Sequence, residues 1–146
     1  MRTLEGVLLT PLRIIDTPGG DVLHGIKQDA PGYDGFGEAY FSTVNPGVIK
    51  AWKRHHEMVL NLVVPEGAVC FVLFDDRPES ISFGEFQKVT LSRSNYQRLT
   101  VPPMLWMGFQ GVSKGINILL NIASIPHRPD EADRLALEKI EYHWEN

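Results

Sequence analysis

The side chains best equipped for chemistry sit close together, with Lys50, Lys53, Arg54, His55 and His56 inside one short stretch. An imidazole changes charge near neutral pH, so it can take or give a proton under ordinary conditions. A lysine crowded by other cations, here Lys50 and Arg54 around Lys53, has its ammonium form disfavoured. The neutral amine can then act as a base or condense with a carbonyl. Lys53 and His55 are two positions apart, so on an extended strand they share one face while His56 takes the other. Two readings stay open. Either the cluster is a solvated strand end, or Lys53 and His55 face inward and meet an anionic or carbonyl-bearing ligand.

Such a pair needs elements to hold it. Thirteen glycines and ten prolines break the chain into short β-branched and aromatic runs. Even punctuation of that kind predicts an all-β sandwich or barrel. Strands are expected over Gly6 to Leu12, Asp21 to Lys27, Gly37 to Val44, Val48 to Lys53, Val59 to Val64, Ala68 to Asp75, Phe86 to Leu91, Tyr96 to Val101, Met107 to Phe109 and Ile116 to Ala123. Pro65-Glu66-Gly67 reads as a compact turn, since Pro presets its backbone angle and Gly accepts positive φ. Asp29 to Phe36 reads as a surface excursion. A short C-terminal helix is expected over Pro129 to Glu138, where Pro and acidic residues gather at the start.

The 146 residues suffice for one core, so a single domain over 1–146 is expected. The formal charge of −4 provides no global basic field for nucleic acid. Apolar runs such as Ile116 to Ile122 are too short for a membrane span. The opening Met-Arg-Thr-Leu-Glu-Gly does not read as a signal peptide, which leads us to expect a cytoplasmic protein. Cys70, the single cysteine, lies in an apolar run and reads as a buried, inert thiol.

Several longer segments carry a resemblance. Ser42 to Trp52 is similar to the strand that enters the active site of the dTDP-4-dehydrorhamnose 3,5-epimerase family, within the cupin superfamily. Leu62 to Val69 resembles the strand–turn–strand of the first cupin motif. Leu73 to Ser80 followed by Phe83-Gly84-Glu85, Val101-Pro102-Pro103 leading into Gly108-Phe109, and the tail from Pro129 through Tyr142-His143-Trp144 extend the likeness over roughly residues 40 to 144. The resemblance implies a cupin jelly-roll β-barrel, a double-stranded β-helix, acting as a homodimer without a cofactor on a nucleotide-linked 4-keto sugar. It also implies a histidine base assisted by an aspartate, with a tyrosine returning a proton on the opposite face.

The chain departs from that set. By the same resemblance, the histidine position holds Lys53, the second motif's histidine is Met107, the tyrosine lies near Leu119 or Leu120, and the aspartate lies near Leu137. The ligand positions of metal-binding cupins correspond to Lys53, His55, Leu60 and Met107, and one imidazole is too few for a transition metal. No metal site is therefore expected. The expected catalytic residues are Lys53 and His55, and the expected substrate-binding residues are Lys50, Asn61, Asn121, Trp106 and Tyr40. Alternation is taken to turn Asn61 inward and Leu60 away. Trp52 and Trp106 flank the mouth, either to stack on a ligand or to pack the core. Tyr40, in the strand that the family exchanges between subunits, is expected at a partner's site. Asp75 and Asp76 are expected in structural ion pairs. These observations leave two functions: an epimerase or isomerase of nucleotide sugars with a variant site, which does not run the standard double epimerisation, or a non-catalytic barrel that binds a nucleotide sugar or another small carbohydrate.

Overall fold

The computed structural model describes residues 3–145. Met1, Arg2 and Asn146, which the single-domain reading includes, lie outside the described residues. Among the described residues twelve strands form: β1 (Leu8–Pro11), β2 (Ile14–Ile15), β3 (Val22–Leu23), β4 (Glu38–Thr43), β5 (Ile49–His55), β6 (Leu60–Glu66), β7 (Ala68–Phe74), β8 (Phe86–Ser92), β9 (Gln97–Val101), β10 (Trp106–Gly111), β11 (Ile118–Ala123) and β12 (Ala132–Arg134). They build two five-stranded antiparallel sheets, ordered β1-β9-β6-β11-β4 and β12-β5-β10-β7-β8, with β2 and β3 as a separate ribbon. This is the cupin jelly roll. Each of the ten expected strands overlaps a real one, although Asp21 to Lys27 shrinks to the two residues of β3, and β2 and β12 lie outside the expected set.

The main core lies between the sheets. Leu60, Leu62 and Val64 of β6 meet Val69, Phe71 and Leu73 of β7, with Leu91, Leu99 and Leu119 around them. Between β6 and β7 the chain reverses at Gly67, whose φ of +77° favours glycine. A Cβ there would also lie 2.3 Å from the Ile116 carbonyl oxygen. A second cluster covers the outer face of the other sheet, where Trp52, Cys70, Val72, Trp106 and Ile140 are buried under the C-terminal tail. Burial pushes the Cys70 thiol up, consistent with an inert role.

The expected C-terminal helix is not there. Pro129–Glu131 makes one 3-10 turn, and Leu137–Lys139 makes another. Between them β12 pairs antiparallel with β5, matching Ala132 to His55, Asp133 to Arg54 and Arg134 to Lys53. The physical reason is the edge of β5. Its backbone groups need a partner, and Asp133 adds contacts to Arg54 at 2.6 Å and His56 at 2.9 Å. A two-turn helix has too few internal bonds to compete with that pairing.

Candidate active site

Between the sheets opens a cavity of about 580 Å³. One wall comes from β4, β6 and β11, contributing Tyr40, Ser42, Leu60, Leu62, Leu119 and Asn121. The other comes from β5, β10 and the chain from β12 onward, contributing Lys50 to Lys53, His55, Met107, Phe109 and Arg134 to Ala136. Lys53 and His55 therefore face inward together, as their spacing requires. Lys50, three positions before Lys53, also lines the cavity. A bulge allows this: Met107 pairs with Lys53 but Phe109 pairs with Lys50, so β5 carries one extra residue against β10.

His55 is held by a residue that no local pattern signals. Its Nδ1 lies 2.5 Å from Glu131 Oε1. The other carboxylate oxygen accepts the backbone N–H groups of Glu57 at 2.9 Å and Met58 at 2.8 Å. Burial alone would push the Glu131 carboxyl up, for the residue is 2% exposed. The hydrogen bonds from His55, Glu57 and Met58 outweigh burial and hold it at about 2. Glu131 is thus ionised at neutral pH and can only accept, so His55 must carry its proton on Nδ1. The lone pair of the neutral ring then sits on Nε2. Burial keeps the ring neutral by lowering its proton affinity, with Glu131 partly opposing.

The Lys53 amine is also pulled down, first by burial and then by Arg134, while Glu131 pulls the other way. Direction matches expectation, but the cause differs. Arg54 turns to the outer face, pairs with Asp133 and Asp76, and lies 4.5 Å over the Trp106 ring. Arg134 supplies the repulsion from the paired strand. Neither the Lys53 nor the Arg134 side chain has an ion pair or hydrogen bond among the described residues. Lys50 donates to the Thr43 carbonyl at 3.0 Å.

On the facing wall, Asn121 Nδ2 donates to the Tyr40 hydroxyl oxygen at 2.9 Å. Register makes them direct neighbours across β4 and β11. Tyr40 thus lines the cavity of its own chain.

Two expected site residues are elsewhere. Asn61 faces away from the cavity, and Leu60 and Leu62 face it, the reverse of the expected parity. Strand β6 is buried on both faces, so hydrophobic alternation gives its register no sign. Asn61 instead donates to the Gly32 carbonyl at 3.0 Å and accepts from Arg98 Nε at 3.1 Å and Thr100 Oγ1 at 2.6 Å. Trp106 is buried on the outer face, where its Nε1 donates to Asp76 at 2.9 Å. Trp52 borders the cavity, but it packs on Trp144 and donates to the Leu137 carbonyl, as a core residue does. Leu119, not Leu120, borders the cavity, and Leu137 is not in its lining. Asp75 forms the expected ion pair with Arg77: burial opposes its ionisation, but Arg77, Ser80 and Ser82 outweigh burial and hold it far below the usual carboxylate range. Asp76 pairs with Arg54.

A carboxylate does converge on His55, but a second imidazole does not. Among the described residues no group of three His, Cys, Asp or Glu side chains is arranged to hold a metal ion. None of the described helices is long and apolar enough to cross a membrane.

Comparison with known proteins agrees with this architecture. The family described as dTDP-4-dehydrorhamnose 3,5-epimerase matches residues 34–145. A solved dTDP sugar isomerase from Desulfovibrio desulfuricans is 40% identical with a TM-score of 0.90, covering 94% of this chain and 90% of that one. A probable low-salt glycan biosynthesis epimerase from Haloferax volcanii is 26% identical over 144 residues, which is 97% of this chain and 90% of the relative. A 3'-monoepimerase from Streptomyces bikiniensis, solved in complex with dTDP-quinovose, shares the fold with a TM-score of 0.82 at 15% identity, covering 99% of this chain and 82% of that one.

Proposed function

The chain belongs to the dTDP-4-dehydrorhamnose 3,5-epimerase family, and from that premise we propose that it is an epimerase or isomerase of nucleotide-linked 4-keto-6-deoxy sugars with a variant proton-transfer site. The observation that carries the proposal is the His55–Glu131 contact on the cavity wall. A C–H beside a ketone is weakly acidic, so its removal needs a base that is free near neutral pH. Neutral His55, fixed by Glu131 through Nδ1, offers Nε2 for that step. The electron pair left behind moves onto the ketone oxygen, and the resulting enolate needs positive charge nearby. Lys53 and Arg134 are the cations on the same wall with no partner of their own among the described residues.

The proposed reaction differs from the standard double epimerisation. The positions that the family resemblance assigns to its two histidines hold Lys53 and Met107, and its tyrosine falls near Leu119 or Leu120. Such a site supports one proton transfer next to the ketone. It requires no cofactor, because removed charge is held on the substrate's own oxygen. The same reading extends to a homodimer: β4 is a sheet edge, and Phe41 on it is 69% exposed. Exposed apolar edge strands invite pairing with a second copy, and light scattering tests it.

The test is solvent exchange. Incubated in heavy water with a dTDP-linked 4-keto-6-deoxyhexose, the wild type should place deuterium on the carbon beside the ketone, and His55→Ala should not. A second reading has its own observation. Leu60, Leu62, Met107, Phe109 and Leu119 give the cavity an apolar patch beside its polar groups, which suits a barrel that binds a sugar without turning it over. Thermal stabilisation by the nucleotide sugar, with no deuterium uptake, would select that reading.

A further inference from the structure

We infer that the open Oδ1 of Asn121 is a specificity element, which accepts a hydrogen bond from one ring hydroxyl of the bound sugar. The site then takes 4-keto-6-deoxy sugars that still carry this hydroxyl and refuses those in which it is removed or alkylated. This selectivity rests on the nucleotide-sugar reading above and narrows its substrate class.

Asn121 is 7% exposed and lines the cavity from β11. Its Nδ2 donates to the Tyr40 hydroxyl oxygen at 2.9 Å, so Oδ1 is what the amide still has to offer. That oxygen is buried and meets no donor among the described residues. The cross-strand neighbours do not supply one. Tyr40 on β4 already meets Nδ2 through its oxygen, and Leu62 on β6 presents hydrocarbon. Buried polar atoms in folded proteins nearly always have a partner, so an open acceptor on a cavity wall marks where a ligand provides it.

An amide oxygen can only accept, and the ligand atom against it must therefore carry a proton. In a 4-keto-6-deoxyhexose, carbon 4 is the ketone and carbon 5 bears the methyl group. The free ring hydroxyls are thus on carbons 2 and 3, and the donor is one of these two. A hydrogen at that place would seal Oδ1 against hydrocarbon with no donor, and an alkylated oxygen would set acceptor against acceptor. A site built around a buried polar group rejects an analogue without the matching group far more strongly than an apolar pocket rejects a missing methylene.

Placement separates this role from the chemistry. Lys53 and His55 stand on β5 in the opposite sheet, so Asn121 holds the ring from the side away from the proposed proton transfer. The selectivity also orders reactions. Any deoxygenation or O-alkylation at the carbon that Asn121 reads must come after the step performed here, because its product would no longer fit.

Isothermal titration calorimetry on the full chain compares a dTDP-linked 4-keto-6-deoxyhexose with its 2-deoxy and 3-deoxy analogues. Wild type should bind at least one analogue about 10- to 100-fold more weakly than the parent, and the carbon concerned identifies the donor. In Asn121→Leu that ratio should fall to about 3-fold or less, because parent and analogue then meet the same hydrocarbon. A loosened barrel would weaken all three ligands alike and leave the ratio in place. Equal binding of the three by wild type overturns the assignment, as does a wild-type ratio that survives in Asn121→Leu. Deuterium uptake by the parent sugar in heavy water reports separately on the proposed reaction. Uptake without discrimination keeps the reaction and removes the role of Asn121, while discrimination without uptake does the reverse. A wild type that does not bind the parent sugar overturns both.

Discussion

Two buried asparagines, sixty residues apart on neighbouring strands, contrast a closed polar network with one left open beside a cavity. Asn61 on β6 and Asn121 on β11 are 3% and 7% exposed. Every hydrogen bond around Asn61 closes within the chain. Its amide donates to Gly32, and its oxygen accepts from both Arg98 and Thr100. Arg98, itself 1% exposed, also donates to the Gly25 and Pro31 carbonyls, so the network ties the Gly25 to Gly32 segment onto the outer sheet face. Asn121 faces the cavity and leaves one oxygen open. The lesson concerns satisfaction. A buried polar group whose partners all lie in the chain specifies the fold, while one left incomplete beside a cavity points to what fills it.

The largest expected effect tests the open side. His55→Ala removes the proposed base and should slow deuterium uptake by about 10²- to 10⁴-fold, measured by mass spectrometry under single-turnover conditions. His55→Ala with wild-type uptake would move the chemistry to Lys53. The pH profile adds the sign: burial lowers the His55 pKa from its ordinary 6.5, so the acid limb of kcat/KM should fall below pH 6.5.

Next comes a carboxylate that belongs to both sides of the comparison. Glu131 is closed by backbone N–H groups and opens through His55 onto the cavity. Its folded pKa of about 2 lies below the ordinary 4.5, so its contribution is present above pH 4.5 and lost as pH falls toward 2. That shift corresponds to about 3 kcal/mol. Urea unfolding at pH 5 and pH 3 should show a drop of about 2 kcal/mol, the remainder being lost below pH 3, and Glu131→Gln should diminish it. Asp75, also depressed, titrates in the acid range as well and remains in both proteins, so the difference isolates Glu131.

How these features stand in the sequence follows the same division. The barrel and ten of its twelve described strands are legible because Gly and Pro punctuate β-branched runs, as at Gly67 between β6 and β7. Lys53 and His55 are legible because β5 alternates between a cavity face and an outer face. Asn61 is misread because β6 is buried on both faces and alternation then says nothing about direction. Glu131 lies 76 positions from His55 in a Pro-Asp-Glu run that also suits a helix start. Only the pairing of β12 with β5 brings it to the ring, and pairing at that separation leaves no local pattern. Arg134 is hidden for the same reason.

Asn61→Leu tests the closed side. It leaves the Arg98 Nε–H, the Thr100 hydroxyl and the Gly32 carbonyl without a partner in a buried region. The loss should be about 2–4 kcal/mol in urea unfolding, with little change in nucleotide-sugar affinity for the protein that remains folded. An equal loss of affinity would tie this network to the site after all.

The smallest effect is the most discriminating, because the same substitution is made in the other asparagine. Asn121→Leu removes a buried oxygen that has no donor and a single bond to a half-exposed phenol, which water can replace. The apo protein should therefore change by less than about 1 kcal/mol, and a rise in Tm is the expected direction if the leucine fills the space beside Leu119 and Leu62. Stabilisation by a nucleotide sugar should shrink at the same time, since the acceptor for its hydroxyl is gone. Differential scanning fluorimetry with and without the nucleotide sugar reads both numbers in one experiment. A large fall in apo Tm would place Asn121 with Asn61 among the residues that hold the barrel together. An unchanged ligand shift would remove it from the site. A more stable protein that has lost its ligand shift is what a side chain retained for function, at some cost to the fold, should give.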